Sequence, residues 1–124
     1  MLRTEDMIFK RGEDSKLIAQ EVELKLEGKP TIKVRPLTRG KLQEIYAIST
    51  SGSTEEKVKA DSEVIKSGLV EPELTDEQLA DLKPQYAGAI STAILSVSLG
   101  ISQDEVTAQA EKVLSNQEAE LKKN

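Results

Sequence analysis

A chain of 124 residues that is 37% hydrophobic but only 2% aromatic fits one domain, with a core built from Leu, Ile, Val and Ala. It has no Cys and no His, so disulfides, thiolate chemistry, the usual neutral-pH general base and the commonest zinc ligand are all missing. A net charge of -5 works against attraction of the surface as a whole to nucleic-acid backbones or anionic membranes.

Residues 1–16 mix charges of both signs around one apolar cluster, Met7, Ile8 and Phe9. They are expected to form a flexible N-terminal arm whose cluster docks on the core, adds a short strand or frays. The opening residues lack the apolar run of a signal peptide, which makes the cytoplasm the expected compartment. Residues 17–124 are expected to form a single α+β domain.

From Ala19 the pattern has period two. Val22, Leu24 and Leu26 point one way, and Glu21, Glu23 and Lys25 the other. After Glu27-Gly28-Lys29-Pro30 the alternation resumes with Ile32 and Val34, which predicts an antiparallel hairpin, Val22 to Leu26 against Ile32 to Arg35. Both apolar sets must face one side, so the connection must hold an odd number of residues. Pairing Leu24 with Ile32 and Val22 with Val34 sets Glu23 against Lys33 and Glu21 against Arg35, and those opposite charges select this register.

The hairpin is expected to pack on a small bundle of four to five helices. Thr38 suits an N-cap, followed by a stripe of Leu42, Ile45, Tyr46 and Ile48. Ser53 with Glu56 is a capping-box pattern opening a helix that carries Val58, Val64 and Ile65 and stops at Gly68. Leu69 to Leu74 is expected to be extended, since Pro72 disfavours helix before it. Thr75 with Gln78 opens a short helix to about Leu82.

Pro84 to Gly100 is the longest uncharged run and is expected to be the central buried helix, with Ile90, Ala93, Ile94 and Val97 at helical spacing. Its serines and Thr92 interrupt it too often for a membrane span. Ser102 with Glu105 then opens a long C-terminal helix on whose stripe Val113, Leu114 and Leu121 lack an obvious partner within the domain. These three are expected to contact a partner chain or a second copy; the alternative is that the helix folds back under the hairpin or Met7-Ile8-Phe9.

No Gly-rich phosphate loop, metal-ligand spacing or nucleophile with its base can be assembled, so no enzyme, metal or cofactor is expected. The acidic pairs Glu55-Glu56 and Asp76-Glu77 sit in first turns of expected helices, where carboxylates meet unpaired N–H groups. The strongest local signal is basic. Lys25, Lys29, Lys33, Arg35, Arg39 and Lys41 gather on the hairpin and the next helix start, either as a solvated sheet face or as a surface for an acidic partner. A small regulatory nucleic-acid-binding module using this hairpin is the alternative function, disfavoured because no aromatic interleaves with the charges.

Val34-Arg35-Pro36-Leu37-Thr38-Arg39-Gly40, then Ser67 to Thr75 (SGLVEPELT), then Ala93-Ile94-Leu95-Ser96-Val97-Ser98, together resemble the tail assembly chaperones of long-tailed phages and prophages. The resemblance spans residues 20 to 100, and its motifs carry no catalytic signature. It implies a small non-enzymatic protein of the host cytoplasm that coats the hydrophobic tape measure protein and brings tail tube subunits to it. The residues expected to bind partners are then Lys33, Arg35, Arg39 and Lys41 on the basic side and Val113, Leu114 and Leu121 at the end.

Overall fold

The structure is a computed structural model that describes residues 1–50 and 52–108. It is an α+β fold in which an antiparallel three-stranded sheet, in the order β1-β2-β3, packs on helices. The elements run α1 (Thr4–Met7), β1 (Gln20–Glu23), β2 (Thr31–Val34), α2 (Arg39–Ile48), α3 (Thr54–Gly68), β3 (Leu69–Glu71), α4 (Asp76–Ala80) and α5 (Pro84–Leu99). A further helical segment covers residues 103–108.

The helix starts follow the capping chemistry of the sequence. Thr38 Oγ1 accepts from the Lys41 N–H at 3.2 Å, and Ser53 Oγ from the Glu56 N–H at 3.2 Å. Thr75 and Gln78 cap each other reciprocally, and Ser102 Oγ accepts from the Glu105 N–H at 3.1 Å. Pro84 opens α5, and Gly100, with φ 69°, closes it in the left-handed region that an L side chain adopts at a cost.

One cluster forms the core: Leu24, Ile32, Val34, Leu37, Leu42, Ile45, Val64, Ile65, Ile90, Ala93 and Ile94. The expected central helix therefore lies where the pattern put it, with Ala93 and Ile94 wholly buried. Other stripe residues do not. Val58 and Tyr46 are exposed, because α2 and α3 each bury a face narrower than the run of apolar residues suggests.

The hairpin forms with the expected parity but in a different register. Gln20 lies opposite Val34, Glu21 opposite Lys33, Val22 opposite Ile32 and Glu23 opposite Thr31, a two-residue displacement from the expected pairing. Leu24, only 2% exposed, carries this register one step past the strand, its N–H donating to the Pro30 carbonyl at 2.8 Å. The displaced register keeps an opposite-charge pair, Glu21 with Lys33, so the charges do not choose between the two registers.

The third strand was expected only as an extended segment. β3 pairs with β2, placing Glu71 beside Lys33 and Leu69 beside Val34, with a bulge between them, and the Arg35 N–H continues the ladder by donating to the Gly68 carbonyl at 2.7 Å. Gly68 itself ends α3 for a reason other than a left-handed cap. A Cβ there would stand 2.5 Å from Ile94 Cγ2 and 2.9 Å from Ile94 Cδ1, so the glycine admits the buried isoleucine of α5.

In the arm, α1 is followed by a turn in which the Gly12 N–H donates to the Lys16 carbonyl at 2.9 Å, closed by a bridge between Arg11 and Leu17. Arg35 Nε donates to the Leu17 carbonyl at 2.8 Å and ties this turn to the strand side of the domain.

Candidate functional site

The basic residues of the hairpin and of α2 are not gathered into one open cationic surface. Lys33 stands between Glu21 and Glu71 across the three strands, with Glu71 Oε1 3.9 Å from its Nζ, so this face of the sheet alternates in sign. The Arg35 guanidinium holds the Leu17 carbonyl and lies 4.0 Å from Asp14. Lys41 Nζ sits between Glu44 at 3.3 Å and Glu63 at 3.6 Å, linking α2 to α3. Lys25 pairs with Asp104 at 2.8 Å, and Gln103 Nε2 donates to the Glu23 carbonyl at 2.9 Å, fastening segment 103–108 over the outer strand.

These pairs are solvent-exposed or half-exposed, so each contributes little to stability, in the range of about 0–1 kcal/mol. Their effect on the local field is larger. Each cation within reach of a carboxylate has a weaker field for an outside anion, and the cluster loses the character that suggested an acidic partner. Lys29 and Arg39 are different: both are exposed and have no ion-pair partner among the described residues. Val113, Leu114 and Leu121 lie outside the described residues.

Beside Arg39 is a feature that pattern reading did not assemble. Met7, Ile8 and Phe9 of the arm face Leu37, Thr38, Arg39, Gly40 and Leu42 at the start of α2 and Ser98 and Leu99 at the end of α5, enclosing a groove of about 540 Å³. Met7 is 63% exposed, Ile8 65% and Leu99 44%, so the walls offer apolar surface rather than hiding it. The sequence signal was the arm's apolar cluster, but its counterpart spans residues 37 to 99, a separation that local periodicity does not reach.

Three polar groups of the groove are satisfied from within: the Leu37 N–H donates to Ser98 Oγ at 2.7 Å, Ser98 Oγ donates on to the Ile94 carbonyl at 2.7 Å, and Thr38 Oγ1 accepts from the Lys41 N–H.

No group of three or more His, Cys, Asp or Glu able to hold a metal ion occurs among the described residues, and none of their helices is long and apolar enough to cross a membrane. Asp61 on α3 titrates above the ordinary value through partial loss of its hydration. Ser91 Oγ is buried in α5 without a hydrogen-bond partner among the described residues. Comparison with protein-family models, curated proteins and solved structures finds no match to this chain.

Proposed function

We propose that this protein is a tail assembly chaperone of a long-tailed phage or prophage, acting without catalysis in the host cytoplasm to bind the tape measure protein and recruit tail tube subunits. One observation carries the proposal. The three sequence motifs behind the resemblance, far apart in the chain, meet at a single node. The Arg35 N–H of the first donates to the Gly68 carbonyl of the second, Gly68 makes room for Ile94 of the third, and Ser98 of the third accepts from Leu37 of the first. The three motifs thus form one structural unit at the core, which is compatible with reading them together.

Four of the six basic residues on the hairpin and α2, namely Lys25, Lys33, Arg35 and Lys41, lie within 4.0 Å of a carboxylate, which weakens that group as a surface for a phosphate backbone and favours a protein partner. Val113, Leu114 and Leu121 provide further apolar positions for the tape measure protein or for a second copy of the chain. Co-expression with the tape measure protein of the same phage tests the proposal. More of the tape measure protein is expected in the soluble fraction with this chain than without it, and with this chain bound; an unchanged soluble fraction with no bound chain contradicts it.

A further inference from the structure

We propose that the outer edge of β1 takes up an extended segment of a partner protein, in which basic and apolar residues alternate, as an antiparallel fourth strand. The inference goes beyond the assembly function above and rests on the sheet alone.

The backbone selects an extended partner. β1 is an end strand in the order β1-β2-β3, and successive residues of a strand turn their N–H and C=O groups to opposite sides. The Leu24 N–H donates to the Pro30 carbonyl on the β2 side, so Val22 shares that side, while Glu21 and Glu23 turn their groups outward. The Glu23 carbonyl is accordingly met by Gln103 Nε2 rather than by β2. Among the described residues nothing meets the Glu21 N–H and C=O or the Glu23 N–H, and both residues are exposed. Open groups in such a row are what a strand-adding peptide bonds.

The side chains select the pattern. Glu21 and Glu23 stand on the exposed face, and neither is in an ion pair with a described residue. Across the sheet the sign alternates, Glu21 beside Lys33 and Lys33 beside Glu71. A Lys opposite Glu21 on an added strand continues that alternation, whereas an acid there meets like charge. Val22, on the other face, is half-buried at the rim of the core, so the residues between those lysines gain by being apolar. A second copy would bring Glu21 and Glu23 of its own β1, or Glu71 of its β3, acid beside acid, so the edge favours a basic segment from outside.

Two substitutions change the edge and leave the ladder to β2 in place. Glu21→Pro removes an outward N–H and sets a ring on the edge, where a strand tolerates proline. Glu21→Lys inverts the charge at an exposed position.

The experiment titrates the full chain and both variants, each checked by thermal melting, into a fluorescein-labelled peptide of about eight residues in which Val and Lys alternate. A second peptide carries Glu for Lys, and two more are the lysine peptide methylated on the backbone nitrogens of either its lysines or its valines. In an antiparallel addition the residue opposite Glu21 exchanges both hydrogen bonds with it, so the lysine nitrogens face β1 and the valine nitrogens face away. The intact chain is expected to bind the lysine peptide about tenfold or more tighter than the glutamate peptide, and Glu21→Lys to reverse that order. Methylating the lysine nitrogens, or Glu21→Pro, is expected to weaken binding about tenfold or more, while methylating the valine nitrogens leaves it unchanged. Equal effects of the two methylations would mean attraction by charge alone and overturn the proposal, whether or not Glu21→Pro folds. Equal affinity for the lysine and glutamate peptides, no binding of either, or binding that a folded Glu21→Pro leaves untouched overturns it as well. So does dimerisation of the free chain that Glu21→Pro abolishes, which would make a second copy the occupant. The tail assembly function fails separately: a chain that takes up the lysine peptide but does not raise the soluble tape measure protein retains the edge site and loses the phage role.

Discussion

Gly40 and Gly68 show how two glycines in helices answer to different constraints. At Gly40 nothing stands within 4 Å of an added Cβ, so Gly40→Ala is expected to stabilise the fold by up to about 1 kcal/mol through helix propensity alone. At Gly68 the same propensity gain is available, but the methyl would meet the branch of Ile94, which is wholly buried and has no room to turn. Overpacking costs about 1–3 kcal/mol, which exceeds the gain, and Gly68→Ala is expected to lower the unfolding free energy. Urea denaturation of the two variants checks this, and opposite signs are the outcome the packing requires. Asp61 gives a pH-dependent counterpart. Its carboxyl titrates above the ordinary value because partial desolvation disfavours the charged form; the residue remains exposed, so ionised Asp61 opposes folding only weakly. The penalty is absent below the unfolded-state pKa, grows as pH rises through the higher folded-state value, and is constant beyond it. Melting curves of Asp61→Asn are accordingly expected to show a higher midpoint than the parent at pH 7 and no such advantage in strong acid.

At the scale of elements, the β1–β2 register is the point where expectation and structure part. The observed pairing sets Glu21 opposite Lys33, and Arg35 is engaged with Leu17 and Asp14 instead. A double-mutant cycle is expected to find a coupling of roughly 0.2–1 kcal/mol for Glu21 with Lys33 and none for Glu21 with Arg35, the reverse of what the two-residue displacement would produce. The helices were legible because their signals are local: Thr38, Ser53, Thr75 and Ser102 each sit three residues before the N–H they cap. The central helix was legible for the same reason, since Pro84, Gly100 and the uncharged run between them define it without reference to any neighbour. The third strand was not, because three residues from Leu69 to Glu71 carry no period and become a strand only when β2 lies alongside. The same limit hid the site. Counting charges along the chain marked Lys33, Arg35 and Lys41, but Glu71, Asp14 and Glu63, which neutralise them, come from distant segments. Of the basic residues expected to bind a partner, Arg39 keeps its charge available, and it does so beside apolar walls contributed by residues 7 to 99.

At the scale of the whole molecule, a modest aliphatic core joins the sheet to α2, α3 and α5, and the arm leaves apolar side chains at a groove on its outside. Such a surface contributes through repetition when many copies line one long partner, since each contact adds little and the sum holds. Coating of the tape measure protein is the central functional claim, and the mass of the co-expressed complex tests it most directly. Mass photometry of the complex purified at physiological salt is expected to show several copies of this chain on each tape measure protein, with a stoichiometry that falls when the tape measure protein is shortened. A tape measure protein that carries no copies, while this chain elutes at its own mass, would contradict it.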